Sequence, residues 1–304
     1  MIKNEYDWCL AGKGATGQVL AYKLKTAGLR VCFLSHKQQA SPVEFTYQTP
    51  TSPPVKWQCP VIHYQQNTKI LIKKLLITTK AYSVKEVLKQ WQRHMNEQTR
   101  IYFWQNGRGF INANALAQPN YCIVNAGIAA YRNGENSVIH TAHNPVFVGS
   151  NAAHSKPTAD ILELQQSDIE LEWREDIELQ SWLKVAINSI INPLTVLYSC
   201  RNGELIKISK AKSQIEQLSQ ECANAFSANK IPLSAEEIKN KCVKVIQKTQ
   251  SHYSSMLQDY KQGHSKSEIE FLNEQIIKIG LSKGVKVDTH THVKNLVKKL
   301  FDNN

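Results

Sequence analysis

Residues 8–17 read Trp8-Cys9-Leu10-Ala11-Gly12-Lys13-Gly14-Ala15-Thr16-Gly17. Four apolar residues run into G-x-G-x-x-G, and a helix-like segment, Gln18 to Thr26, follows. A strand, a glycine turn and a helix in that order open a dinucleotide-binding βαβ unit. Gly12 permits the tight turn, Gly14 lets backbone approach a pyrophosphate, and Gly17 lets the helix pack on the strand. The phosphates then meet unpaired N–H groups of Lys13, Ala15 and Thr16 around the helix N-terminus. A purely structural glycine turn is the alternative. Gly28 punctuates the helix, and Val31-Cys32-Phe33-Leu34 reads as the second strand.

The end of that strand bears on cofactor choice. Sites for NAD usually place an acid there to hold the ribose 2′-hydroxyl. Here the residues are Leu34-Ser35-His36-Lys37-Gln38, with no carboxylate. Lys37 and His36 suit a 2′-phosphate, so NADP(H) is expected; two solvated side chains are the alternative. Lys80 follows Leu75-Leu76-Ile77, and Asn106-Gly107 follows the run Arg100 to Trp104. Both lie after strands, where doubly wound sheets bind ligands, although Asn-Gly also suits an ordinary turn.

Further out, residues 38–60 are rich in Gln, Pro, Ser and Thr and read as a loop with short strands. Ile70-Leu71-Ile72 is a further apolar run, and alternation resumes around Val138-Ile139-His140 and Val146-Phe147-Val148. Acidic residues crowd between Asp160 and Glu178, and the pattern after them is helical. The expected class is α/β: an N-terminal Rossmann-type doubly wound sheet over residues 1–174, then an all-helical domain over 175–304.

The helical half carries a polar ladder. Within the aliphatic segment Trp182 to Asn192, Lys184, Asn188 and Asn192 recur at i, i+4 and i+8 and share one face. A buried lysine is costly unless paired or neutralised, so the ladder suggests a site where a substrate supplies partners. A solvent-facing stripe is the alternative. Pro193 predicts the end of this helix. Further on, Ser254 and Ser255 read as ordinary helix-face serines. Gly263 breaks the pattern, and Ser267-Glu268-Ile269-Glu270 matches a capping box in which Glu268 complements the next helix dipole.

The chain has 304 residues, 42% of them hydrophobic, enough for two domains. No run approaches the roughly 18 apolar residues of a membrane span. Met1 to Asp7 lacks signal-peptide character, so a soluble cytoplasmic protein without membrane association is expected. The seven cysteines are scattered and none forms CxxC. That pattern predicts reduced, buried thiols and argues against a metal site or a disulfide framework. The net charge is +12, but the lysines are dispersed and not interleaved with aromatics. The charge is therefore expected to serve a phosphorylated ligand rather than nucleic acid.

Taken together, these residues resemble the ketopantoate reductase (2-dehydropantoate 2-reductase) family over nearly the whole chain. The resemblance rests on Gly12 to Gly17, Thr79-Lys80-Ala81, Asn106-Gly107-Arg108-Gly109, Lys184-x3-Asn188-x3-Asn192-Pro193-Leu194-Thr195 and Asn202-Gly203-Glu204-Leu205. Ser254-Ser255-Met256-Leu257-Gln258-Asp259 and Ser267-Glu268-Ile269-Glu270 complete it. It implies NADPH-dependent reduction of ketopantoate to (R)-pantoate in pantothenate and coenzyme A synthesis, with a small 2-keto acid as partner; monomer and homodimer both stay open.

By position, the resemblance makes Lys184 the general acid and Asn106 a contact to both nicotinamide and substrate. Asn188, Asn192, Asn202, His252, Ser254 and Ser255 correspond to substrate contacts, Glu268 to a residue near the cofactor ribose or the substrate, and Ala130 to a backbone contact for the nicotinamide amide. The chain departs from the family pattern in three places. His36-Lys37 replaces an arginine for the 2′-phosphate, His252 stands where asparagine is usual, and the stretch from Asp259 to Glu268 is one residue longer. A reductase of another branched 2-keto acid and a non-catalytic nucleotide-binding homologue are the alternatives.

Overall fold

The computed structural model describes residues 6–303 apart from 39, 65–69, 126, 143–144 and 153–155. Residues 1–5, part of the stretch read as lacking signal-peptide character, lie outside the described residues. Two compact units form: Met1–Gln105 with Ile111–Glu178, and Asn106–Phe110 with Leu179–Asn304.

The first unit holds the strands. They are β1 (Trp8–Ala11), β2 (Val31–Ser35), β3 (Val43–Gln48), β4 (Val55–Cys59), β5 (Val61–His63), β6 (Lys74–Ile77), β7 (Arg100–Phe103), β8 (Tyr121–Asn125), β9 (Ala129–Arg132), β10 (Ser137–Ala142), β11 (Val146–Gly149) and β12 (Leu171–Trp173). Its helices are α1 (Ala15–Thr26), α2 (Val84–Trp91), α3 (Ala113–Leu116) and α4 (Ala159–Gln166). The large sheet has the order β12-β11-β8-β7-β6-β1-β2-β5. Its pairings are parallel except β8 with β11. The chain grows from β1 through β2 on one side, then returns to place β6 on the other. β1 is thus the switch point where α/β sheets take ligands.

The smaller sheet, β4-β3-β10-β9, gathers the short strands expected within residues 38–60. It pairs β3 with β10, about 90 residues on, in parallel register. Helix α1 packs between the two sheets. Gly17, Gln18, Val19, Leu20, Ala21, Lys23 and Leu24 are all buried, as a helix covered on both sides requires. On the side of the small sheet, Tyr22 stacks on Tyr47 at 4.0 Å between ring centroids. The apolar run Ile70-Leu71-Ile72 is not a strand; Ile70 and Ile72 are buried while Leu71 is exposed.

Helices α5 (Ile177–Leu197), α6 (Ser209–Ala228), α7 (Ala235–Lys248), α8 (Ser255–Lys261), α9 (Asn273–Leu281) and α10 (Asp288–Asp302) make up the helical unit, α5 entering it at Leu179. Val185, Ala186, Ile190, Ile191 and Leu194 of α5 lie in its core. All seven cysteines are buried and unbridged. No helix among the described residues is long and apolar enough to cross a membrane.

Helix α5 does not end at Pro193, contrary to the sequence-based expectation; it continues to Leu197. Proline lacks the N–H that would bond the carbonyl four residues earlier. That carbonyl belongs to Ser189, and it accepts the Asn273 side-chain amide at 2.9 Å. The same amide nitrogen lies 3.0 Å from Nδ1 of the buried His290. A side chain about 80 residues away thus satisfies the group that proline orphans. Asn273→Leu, close in volume, leaves this carbonyl unsatisfied and is expected to cost about 1–3 kcal/mol. Thermal unfolding should show a melting point several degrees lower; an unchanged Tm would contradict the assignment.

Candidate active site

In the first unit the glycine turn is built against β6. A Cβ on Gly12, whose φ is +118°, would meet the Thr78 backbone and hydroxyl at 2.8 Å. A Cβ on Gly17 would meet the Gly12 carbonyl oxygen at 2.0 Å. The Thr78 hydroxyl donates to the carbonyls of Gly12 (2.9 Å) and Ala11 (3.2 Å), which fixes the turn at the end of β1. Gly14 differs: a Cβ there meets nothing within 4 Å. It caps α1 without a side-chain acceptor, and the first turn, including Ala15 and Thr16, contains no acid. The helix N-terminus is therefore electropositive, with a glycine where the protein itself leaves room for a side chain.

The neighbouring strand ends supply the other sequence candidates. His36 and Lys37 follow β2 and are exposed. The Ser35 hydroxyl donates to the Lys37 carbonyl (2.9 Å) and accepts its N–H (3.0 Å), shaping that turn. Burial lowers the pKa of Lys13; the charges of Lys37 and Arg132 lower it further, while Glu135 opposes them. Lys13 therefore feels two further cations, one of them Arg132, an exposed arginine outside any sequence motif. Lys80 follows β6 and leads a short 3-10 turn. Gln105, which sequence reasoning missed, donates its amide to the carbonyls of Ile77 (2.7 Å) and Thr79 (3.1 Å), tying the ends of β6 and β7 together. Ala130 lies half-buried on β9 in register with His140.

In the helical unit the polar ladder is not a solvent-facing stripe. Lys184 and Asn188 are half-buried and Asn192 is buried. Burial pulls the Lys184 ammonium down to about 8, and the charge of the buried Glu268 raises it in opposition. The Asn106–Phe110 segment packs with this unit. The Arg108 guanidinium lies 4.5 Å from the centroid of the Trp182 ring, two residues before Lys184. The Arg108 N–H donates to the Phe271 carbonyl at 2.9 Å, three residues after Glu268. A Cβ on Gly107 would strike that carbonyl oxygen at 2.3 Å, so only glycine lets the segment lie so close. The segment that begins at Asn106 is thereby joined to the elements bearing Lys184 and Glu268.

Asn202 is buried; its amide donates to Thr249 Oγ1 at 2.8 Å, and its backbone N–H to the His252 carbonyl at 3.0 Å. Its Oδ1 has no hydrogen-bond partner. His252 and Ser255 are exposed. Ser254, expected as a helix-face serine and as a substrate contact, caps α8 by accepting the Leu257 N–H at 3.1 Å. The Thr195 hydroxyl donates to the Asn192 carbonyl at 2.7 Å, so the Ser254 hydroxyl donates to Thr195 across 2.6 Å. Ser254 thereby clasps α8 to the end of the ladder. Ser267 caps the next turn through the Ile269 N–H at 3.4 Å, and that turn, Glu268–Phe271, is 3-10 rather than the start of an α-helix.

Residues 8–153 match the family described as Ketopantoate reductase PanE/ApbA, and residues 176–301 its C-terminal counterpart. The chain is 30% identical to the 2-dehydropantoate 2-reductase of Shigella flexneri over 228 residues, 74% of this chain and 73% of that protein.

The chain belongs to the ketopantoate reductase family.

It is also 29% identical to the 2-dehydropantoate 2-reductase of Vibrio cholerae over 296 residues, which span 95% of this chain and 96% of the relative. Among solved structures, D-mandelate dehydrogenase with NADH and anilino(oxo)acetate superposes with a TM-score of 0.86 at 21% identity, covering 97% of this chain and 98% of that one. A dimeric ketopantoate reductase from Staphylococcus aureus superposes at 0.81 with 18% identity, covering 97% and 99%. At those identities the likeness speaks for the fold: a ketopantoate reductase-type Rossmann sheet followed by a helical region.

Proposed function

We propose that this chain catalyses the NADPH-dependent reduction of 2-dehydropantoate to (R)-pantoate, in the cytoplasm, within pantothenate and coenzyme A biosynthesis. The observation that carries the reading is Lys184, drawn down to about 8 beside Glu268 and followed along its helix face by Asn188 and Asn192.

Residues 1–174 are assigned to the cofactor and 175–304 to the substrate, with Asn106–Phe110 packing alongside the latter. The glycine turn fits a dinucleotide: Gly14 leaves open space before an uncapped helix N-terminus. Gly12 to Gly17 and Lys80 would hold the phosphates and neighbouring groups, His36 and Lys37 the 2′-phosphate, and Ala130 the nicotinamide amide. A bound nicotinamide supplies the hydride.

When hydride reaches a ketone carbon, negative charge gathers on its oxygen. Lys184 donates a hydrogen bond to that oxygen and then a proton. Its lowered pKa leaves it largely protonated at neutral pH yet able to release the proton. Asn106, Asn188, Asn192, Asn202 and Ser255 hold the substrate hydroxyl and carboxylate and orient the carbonyl, with His252 beside them. The buried Oδ1 of Asn202 is an acceptor suited to a substrate hydroxyl. Glu268 keeps Lys184 charged and lies near the ribose or substrate.

Incubation with ketopantoate and NADPH should yield pantoate in step with NADPH oxidation. Turnover of a different 2-keto acid only would overturn the substrate assignment. Dinucleotide binding with no turnover of any 2-keto acid would reduce the chain to a nucleotide-binding homologue.

A further inference from the structure

The turn between β9 and β10 is attached to the glycine turn by one buried side chain. Gln18, on the first turns of α1, is fully buried. Its amide nitrogen donates to the carbonyl of Lys13 at 2.9 Å and to the carbonyl of Glu135 at 3.0 Å. One amide thus fixes two loops of different sheets against each other. The hairpin turn is itself ordered: the Asn133 N–H donates to the Ser137 carbonyl at 2.9 Å, and the Arg132 guanidinium donates to the Gly134 carbonyl at 3.2 Å. β9 ends at Arg132, so its last side chain lies at this junction.

We propose that the tip of the β9–β10 hairpin completes the site for the 2′-phosphate of the cofactor, with Arg132 joining Lys13 and Lys37 as its third cation and Glu135 moderating the charge. The inference rests on the NADP reading above. Its basis is the junction held by Gln18 together with the end of β2, where the Ser35 hydroxyl turns Lys37 into place. The charges of Glu135, Lys37 and Arg132 all act on the Lys13 ammonium, consistent with their lying around it. Three like charges near one another repel when nothing lies between them, and a phosphate dianion relieves that repulsion. Arginine adds a planar fork of donors that matches phosphate oxygens, which lysine does not offer. The arginine that the family resemblance places after β2 is His36 in this chain. An arginine arriving from the hairpin instead restores a guanidinium to the site.

The test is equilibrium binding, by calorimetry, of 2′,5′-ADP and 5′-AMP, two probes that differ only in the 2′-phosphate. Wild-type protein should favour 2′,5′-ADP by about tenfold or more, and Arg132→Ala should erase about tenfold of that preference while leaving 5′-AMP affinity unchanged. Arg132→Lys should fall between the two. Glu135→Gln should raise the preference, and added salt should shrink it. If wild type discriminates and Arg132→Ala discriminates equally well, the hairpin has no part in the site and the inference fails while the NADP reading stands. If wild type binds the two probes alike, the NADP reading fails and takes the inference with it.

Discussion

Lys184→Ala is expected to lower kcat by about 10²–10⁴-fold with ketopantoate, with little change in dinucleotide affinity. The size follows from the role. A carbonyl oxygen that takes up negative charge needs a donor already in place, and no other cation lies on the face that carries Asn188 and Asn192. Burial of the Lys184 ammonium costs free energy in the resting protein, the charge of Glu268 offsets part of that cost, and an oxyanion forming beside the ammonium would offset more. Lys184→Arg keeps the charge but not the reach or the exchangeable proton, since guanidinium stays protonated. It should therefore restore little of the rate. Full activity in Lys184→Ala would remove the proton donor from the account.

The second large effect separates two glycines three positions apart. Gly17→Ala should destabilise the sheet-based unit by about 3 kcal/mol or more and abolish dinucleotide binding, because its Cβ would lie 2.0 Å from the Gly12 carbonyl oxygen. Backbone stands on both sides of that clash, so nothing flexible can yield. Gly14→Ala should behave differently. With φ −71° and ψ −178° the backbone suits alanine, and its Cβ meets nothing. Stability should fall by about 1 kcal/mol or less, while the dinucleotide Kd rises by about tenfold or more as the methyl group occupies the approach to the pyrophosphate. Thermal melts paired with cofactor titrations would show the split. Equal affinity in Gly14→Ala and wild type would mean that no phosphate passes there.

The fold class was readable because its signals are local. Gly12 to Gly17 sits between an apolar strand and a helix, and the polar ladder repeats every four residues. What escaped the sequence depends on partners far along the chain. Pro193 reads as a helix end until Asn273 is seen to bond the Ser189 carbonyl. The short strands within residues 38–60 acquire their place only by pairing with β10. Nor does the sequence show that Asn106–Phe110 leaves the strand unit to pack with the helices, although Gly107 marks where backbone must pass close to Phe271. Ser254 stands in a recognisable block, but its bonds to Leu257 and Thr195, the latter 59 residues away, are not legible there. Nothing in the sequence marks Arg132, because the hairpin is tied to the glycine turn only through the long-range Gln18 bridge.

The most direct test of the central claim is the pH dependence of kcat/KM for ketopantoate, which reports groups of the free enzyme. In the proposed mechanism the protonated form of Lys184 is the acid, and burial lowers its pKa from 10.5 to about 8. The rate should therefore be level below that pH and fall about tenfold per pH unit above it, and this alkaline limb should be missing from the residual activity of Lys184→Ala. A wild-type profile that stays flat as pH rises through 8, or the same limb persisting in Lys184→Ala, would contradict the assignment of Lys184 as the proton donor.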